Sequence, residues 1–156
     1  MDIGAKFCNT YKVYINHTDA GGIVYHANHL VFFEHCRRDW LTSLGYDGYF
    51  FDLINDDTEP TTNGYNKAVH FVVSHADLAY HSPLFVDDVL SVCIDDIVIR
   101  PASLILHQSI YRAGQPKAAT TAKITLACVQ NDGQKIRPYR LPTSFVNRLN
   151  SQANHD

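Results

Sequence analysis

The chain has 156 residues, the size of one domain with a substantial core, so we treat residues 1–156 as a single domain. Thirteen basic and sixteen acidic residues give a net charge of −3, which argues against a nucleic-acid-binding surface, and no apolar run reaches membrane-spanning length. The N-terminus lacks a signal-peptide pattern, and the four cysteines form no CxxC pair. We therefore expect reduced thiols in a cytoplasmic protein.

The first predicted element is a half-buried strand over Phe7 to Ile15, where apolar and polar residues alternate. This alternation puts Tyr14 and Ile15 on opposite faces. The strand leads into the sequence HTDAGGIVYHANHLVFFEHCRRDWLTSLG, which spans His17 to Gly45.

A long helix is predicted within this stretch, because apolar residues recur there at three- and four-residue spacing. These residues are Leu30, Phe33, Trp40, Leu41 and Leu44. Asn28 is the expected N-cap, and Gly45 can take the left-handed conformation that ends a helix. Asp19 then lies on a loop that leads into a helix N-terminus, whose unpaired N–H groups attract negative charge.

The rest of the chain has a strand pattern, rich in Val, Ile, Leu and Thr. Four strands are predicted, over Val69 to Tyr80, Val89 to Ile99, Ser103 to Tyr111 and Ala118 to Gln130. Short turns between them imply antiparallel neighbours, and a short helix near Ser144 to Leu149 follows. One long helix against an antiparallel sheet predicts an α+β architecture.

Three stretches of the sequence resemble a known family. They are TDAGGIVYHAN before the helix, VVSHADLAYHSPLFVDDVL at Val72 to Leu90, and RPYRLP at Arg137 to Pro142. The chain resembles hotdog-fold acyl-CoA thioesterases of the 4-hydroxybenzoyl-CoA thioesterase type, close to the YbgC-like branch. The resemblance implies a five-stranded antiparallel sheet wrapped around one long central helix. It also implies a homodimer joined edge to edge, or a homotetramer, with active sites at the dimer interface.

The resemblance also assigns roles to residues of the first stretch. Asp19 falls on the catalytic aspartate, as nucleophile or as general base for water. His26 falls at the helix start, where a backbone N–H polarises the thioester carbonyl. Gly22, Tyr25 and Asn28 fall on the supporting frame that contacts substrate. No cofactor and no metal are implied.

One position departs from the family pattern. YbgC-like members commonly carry a tyrosine four residues ahead of the aspartate, but here Ile15 holds that place and Tyr14 lies one residue earlier. The role of a tyrosine in this site is therefore left open.

Competing interpretations of the same residues are weaker. Four histidines between His17 and His35 invite a metal hypothesis, but they contain no HExxH pattern. Glu34 could serve as a helical catalytic carboxylate, but an ion pair with Arg38 is the preferred explanation because Asp19 already fills that role. Ser74, His75 and Asp77 resemble a hydrolase triad, but no GxSxG motif accompanies them.

Three functions stay open at this point. The first is hydrolysis of an acyl-CoA or acyl carrier protein thioester. The second is a hotdog dehydratase acting on a hydroxyacyl thioester, and the third is a hotdog protein that binds acyl groups without turnover. Four basic residues near turns are candidates for binding the phosphates of coenzyme A: Arg100, Arg112, Lys117 and Arg137.

The connection from Tyr46 to Lys67 is longer than the resemblance implies. Its first part is aromatic, and we expect some of its rings to pack beside the helix end or to line the acyl pocket; these residues are Tyr46, Tyr49, Phe50 and Phe51. Its second part, DDTEPTTNGYNK from Asp56 to Lys67, is polar and has little to bury. It is either a mobile excursion beside aromatics that select the acyl chain or an insertion without functional effect.

Overall fold

The computed structural model describes residues 5–51 and 68–153. The predicted polar segment Asp56 to Lys67 lies outside these ranges. The helices are α1 (Asn28–Ser43) and α2 (Thr143–Ala153). The strands are β1 (Phe7–Lys12), β2 (Phe50–Phe51), β3 (Ala68–Tyr80), β4 (Val89–Arg100), β5 (Ser103–Arg112), β6 (Thr120–Asn131) and β7 (Ile136–Pro138). None of the described helices is long and apolar enough to cross a membrane.

All the described strands join one antiparallel sheet. Its order is β1-β4-β5-β6-β3-β2, and β7 pairs with β6 outside this path. The α+β class is therefore confirmed, but the predicted count of five strands is wrong. The two additional strands span two and three residues, which is too short for a periodic pattern to reveal them.

The core lies between α1 and the inner face of the sheet. The buried residues of α1 recur at helical spacing and include Phe32, Phe33, Cys36 and Trp40. They pack in one cluster with alternate residues of the long strands, for example Leu106. This packing fixes the position of α1, and with it the loop that precedes the helix.

A buried arginine ties α1 to the sheet by hydrogen bonds. Nε of Arg37 donates to the Tyr49 hydroxyl (3.0 Å), and Nη1 donates to Oε1 of Gln108 on β5 (2.9 Å). Nε2 of Gln108 in turn donates to the carbonyl of Phe33 (3.3 Å). These bonds satisfy polar groups that would otherwise be costly to bury.

The N-terminal strand is shorter than predicted. β1 ends at Lys12, and a 3₁₀ turn over Ile15–His17 follows the buried Val13. Ile15 is 72% exposed, so it does not share the buried side of Val13. The predicted opposition of Tyr14 and Ile15 across a strand is therefore wrong, because the chain has already left the sheet at these residues.

The aromatic residues after α1 pack at the C-terminal end of that helix. The ring centroids of Tyr46 and Phe51 lie 5.3 and 5.2 Å from that of Phe145 in α2, which also contacts Phe71. A helix of 16 residues is about 24 Å long, so this cluster is far from the loop at the other end of α1. Packing beside the helix end is confirmed for Tyr46 and Phe51, and this position favours a structural role.

Two of the cysteines form a disulfide. Cys8 and Cys93 are directly opposite each other in the β1–β4 pair, and their Cα atoms are 4.1 Å apart. The prediction of four reduced thiols is therefore wrong for this pair, since residues 85 positions apart in sequence become neighbours only through strand register. Cys36 and Cys128 are free and buried, and burial raises the pKa of each thiol to about 12. The cytoplasmic location stays a prediction.

Breaking this disulfide is expected to lower the free energy of unfolding by roughly 3 to 5 kcal/mol, because the bond closes a long loop and so restricts the unfolded chain. Urea unfolding of the oxidised protein, with and without a dithiol reductant, measures the change. Cys8→Ser is the matched variant, and its stability should not respond to the reductant. Equal unfolding midpoints for the oxidised and reduced wild type would contradict the prediction.

Candidate active site

The loop before α1 folds back on itself as a narrow hairpin. The N–H of Asp19 donates to the carbonyl of Ile23 (2.8 Å), and the N–H of Tyr25 donates to the carbonyl of His17 (3.1 Å). The N–H of Gly22 closes the turn by donating to the carbonyl of Asp19 (3.2 Å), and the φ of Gly22 is +74°. A side chain at this φ would be strained, so the turn requires glycine.

The Asp19 carboxylate is exposed at the base of this turn. Its Oδ1 accepts a hydrogen bond from the N–H of Gly21 (2.8 Å) and a longer one from the N–H of Ile23 (3.4 Å). Within the described ranges, Oδ2 accepts no hydrogen bond. The hairpin therefore orients the carboxylate through one oxygen and leaves the other available to water or a substrate.

The start of α1 differs from the prediction. Ala27 occupies the N-cap and makes no side-chain capping bond, so Asn28 is not the N-cap. Nδ2 of Asn28 instead donates to the carbonyl of His17 (2.8 Å), which ties the first helical turn to the hairpin. Among residues 5–51 and 68–153, nothing accepts from the N–H groups of His26 and Ala27. These donors at the positive end of the helix dipole remain open.

His26 and Tyr25 lie on the exposed side of this turn. Their rings are in contact, with centroids 4.3 Å apart, and Tyr25 is about half exposed. The carbonyl of His26 accepts a hydrogen bond from the Tyr80 hydroxyl on β3 (2.8 Å). Tyr80 was not singled out from the sequence, although it lies in a stretch that carries the family resemblance.

The loop between β3 and β4 supports the hairpin from the other side. The N–H of Val24 donates to the carbonyl of Leu84 (2.8 Å), and the N–H of Val86 donates to the carbonyl of Gly22 (3.0 Å). Asp88 anchors this loop through two contacts with Arg112, at 2.8 and 3.3 Å. Because its guanidinium is engaged in this way, Arg112 is a poorer phosphate ligand than the sequence suggested.

His29 is buried behind the helix start. Its Nδ1 is 2.8 Å from Oγ1 of Thr120 on β6, and its ring meets the Tyr80 ring edge-on at 4.8 Å. Two causes lower the pKa of His29 to about 4: burial is the larger, and electrostatic repulsion from the nearby His26 is the smaller. The described ranges contain no group of three or more His, Cys, Asp or Glu side chains arranged to hold a metal ion.

Protein stability is expected to fall between pH 6.5 and pH 4 because of His29. Its folded-state pKa lies below the unfolded value of 6.5, so the unfolded chain takes up the proton first as the pH falls. We expect a loss of roughly 2 to 3 kcal/mol from this residue, measured by urea unfolding at a series of pH values.

His29→Gln should flatten this part of the pH profile. His107→Gln, which replaces an exposed histidine on β5, is the matched control and should leave the profile unchanged. Parallel profiles for the wild type and His29→Gln would contradict the assignment.

The two competing catalytic sites suggested by the sequence, Glu34 and the set of Ser74, His75 and Asp77, have structural roles. Glu34 and Arg38 form an ion pair at 3.5 Å, the alternative proposed for them from sequence. Ser74 lies at a bulge in β3, where its hydroxyl donates to the carbonyl of Thr125 (3.4 Å). His75 and Asp77 pair in register with Thr125 and Lys123, respectively.

One sheet edge adjoins the candidate site. From Val72 to Tyr80, β3 pairs with β6 on one side, while β2 covers only Val69 and His70 on the other. Within the described part of the chain no strand covers the remainder of this edge. Val73 and Tyr80 are about half exposed there, and Tyr80 contacts the helix start. An uncovered edge of this kind is a template for pairing with another strand.

Comparison with known proteins gives matches over most of the chain. The family model described as the Thioesterase-like superfamily matches residues 13–149, a range that includes Asp19 and α1. The chain is 30% identical over 135 residues to the acyl-CoA thioester hydrolase YbgC of Escherichia coli O6:H1, with 86% of this chain and 89% of that protein covered. It is 30% identical over 142 residues to the acyl-CoA thioesterase YbgC of Haemophilus influenzae, covering 91% of each. A solved structure titled "Probable Thioesterase from Bartonella henselae" superposes with a TM-score of 0.65 at 26% identity, over 86% of this chain and 96% of that one.

Proposed function

This chain belongs to the thioesterase-like superfamily, and we propose that it hydrolyses the thioester bond of an acyl-CoA to give a free acid and the thiol of coenzyme A. The observation that carries the proposal is the placement of the Asp19 carboxylate on the same hairpin that leads into open N–H groups at the start of α1. An acyl-transfer site needs both parts, a carboxylate that delivers the nucleophile and donors for the carbonyl oxygen.

Asp19 drives the acyl transfer in this proposal. Either Oδ2 attacks the thioester carbonyl and forms an anhydride that water then cleaves, or the carboxylate removes a proton from the attacking water. The hydrogen bond from the N–H of Gly21 to Oδ1 holds the carboxylate in place for both routes. The thiolate of coenzyme A leaves and is protonated from water.

The backbone N–H of His26 stabilises the negative charge that develops on the carbonyl oxygen. The Asn28 side chain donates to the carbonyl of His17 and does not cap the helix. Within the described ranges, no protein oxygen therefore competes with the substrate for the N–H groups of His26 and Ala27. Gly22 permits the turn, and the exposed ring of Tyr25 offers an apolar surface to the acyl group.

The active unit is proposed to be a homodimer, and the pairing of two dimers into a homotetramer is compatible with it. The uncovered edge of β3 supports this assembly, because Tyr80 on that edge contacts the helix start. A partner strand on the edge would therefore lie beside the candidate site. The substrate is a thioester of coenzyme A or of an acyl carrier protein. Water is the second reactant, and the reaction needs no cofactor.

Product analysis tests this function against its rivals. Purified protein is incubated separately with a 3-hydroxyacyl-CoA and with the matching saturated acyl-CoA. The products are separated by chromatography and identified by mass spectrometry. Hydrolysis gives free coenzyme A and acid from both. An enoyl-CoA without free thiol would indicate a dehydratase, and saturable binding without any product would indicate an acyl-binding protein.

A further inference from the structure

A tyrosine on the neighbouring strand holds the peptide that joins His26 to Ala27. The Tyr80 hydroxyl, on β3, donates to the carbonyl oxygen of His26 at 2.8 Å. This carbonyl and the N–H of Ala27 belong to one planar peptide group, so the bond fixes the orientation of both. It bridges 54 residues of sequence and links the sheet to the first turn before α1.

The position of the Tyr80 ring is itself determined by buried neighbours. The ring meets the edge of the buried His29 ring at a centroid distance of 4.8 Å. Thr120 lies opposite Tyr80 in the β3–β6 pair, and its hydroxyl is 2.8 Å from Nδ1 of His29. A tyrosine hydroxyl keeps its proton at neutral pH, and partial burial raises the pKa of Tyr80 further, so the group is a donor.

From this geometry we infer that Tyr80 is a positioning residue for the oxyanion donors at the start of α1. The inference rests on the proposed thioester hydrolysis. Tyr80 does not touch the reacting atoms, but it holds the peptide that presents the N–H of Ala27 beside that of His26.

Two physical effects follow from the hydrogen bond. First, it restrains the plane of the His26–Ala27 peptide, which keeps the open N–H of Ala27 in a fixed direction beside that of His26 before substrate arrives. Second, a hydrogen bond to a peptide carbonyl polarises the N–H of the same peptide, here that of Ala27, and makes it a stronger donor. Both effects stabilise the transition state more than the ground state, because the carbonyl oxygen gains charge during the reaction.

Tyr80→Phe removes the hydroxyl and keeps the ring on His29. We expect kcat to fall roughly tenfold to thirtyfold, less than the loss of a complete oxyanion donor, with KM changed less than about threefold. Tyr111→Phe is the matched control, because it also removes one phenol hydroxyl. Tyr111 follows the core residue Ile110 in β5 and therefore lies on the opposite face of the sheet. That variant should retain wild-type kcat.

A second measurement does not depend on hydrolysis. Protein labelled with ¹³C at the carbonyl of histidine and with ¹⁵N in alanine gives correlated NMR signals only from His–Ala peptides. The sequence contains two, His26–Ala27 and His75–Ala76. In Tyr80→Phe the His26 carbonyl shift should move and the order parameter of Ala27 should fall, while the His75–Ala76 signals serve as the internal reference.

The two measurements separate the two claims. If wild-type protein releases no thiol from any acyl-CoA, the proposed function fails, and the NMR comparison still decides whether Tyr80 holds the turn. An unchanged His26–Ala27 signal in Tyr80→Phe, or a kcat within about twofold of wild type in an active protein, would overturn the role inferred for Tyr80.

Discussion

Asp19→Asn is expected to lower kcat for thioester hydrolysis by roughly a thousandfold or more, because the amide can neither attack the carbonyl nor accept a proton from water. Asparagine retains an oxygen at the position of Oδ1, so the hydrogen bond from the N–H of Gly21 and the hairpin should persist. Steady-state thiol release under saturating acyl-CoA measures the loss. The KM should change far less than kcat.

Asp77→Asn is the matched control for this change. Asp77 is an exposed aspartate on β3 that pairs with Lys123, and the variant should hydrolyse substrate at the wild-type rate. Near-normal turnover by Asp19→Asn, with the same unfolding midpoint as wild type, would remove Asp19 from the mechanism.

Val73→Lys is expected to weaken the proposed dimer roughly a thousandfold, because a symmetric interface contains the substitution twice and each buried lysine costs about 2 kcal/mol. Val73 is 46% exposed on the uncovered edge of β3, so the isolated chain should tolerate the charge. Activity should fall with the population of dimer. Sedimentation velocity and thiol release over the same range of protein concentrations test both expectations.

Val98→Lys provides the comparison. Val98 is 38% exposed on β4, which β5 and β6 separate from β3, so its substitution should leave a dimer formed at the β3 edge intact. A wild type that is monomeric and active at assay concentration would exclude a site built at this interface.

The sequence predicted the parts of the fold that depend on local periodicity. The helix after the Asp19 loop and the four strands after it were recognised because their apolar residues repeat over nine or more positions. The resemblance to YbgC-like thioesterases is confirmed by the family match and by relatives that cover most of the chain.

The wrong predictions concern choices that local patterns do not determine. Asn28 has the composition of an N-cap, but its amide bonds to His17, which becomes its neighbour only when the hairpin closes. Cys8 and Cys93 are brought together by the register of β1 against β4, which spacing in the sequence does not reveal. Tyr80 reaches His26 for the same reason, through the position of β3 beside the helix start.

Cleavage of acyl-CoA thioesters by this chain can be measured without any variant. The most direct measurement is thiol release by the purified wild-type protein across short-chain, long-chain and aromatic acyl-CoAs, with each acid product identified. We expect one equivalent of free coenzyme A for each equivalent of acid with at least one class of acyl group, at a rate that Asp19→Asn abolishes. No thiol above the uncatalysed rate from any of these substrates would contradict it.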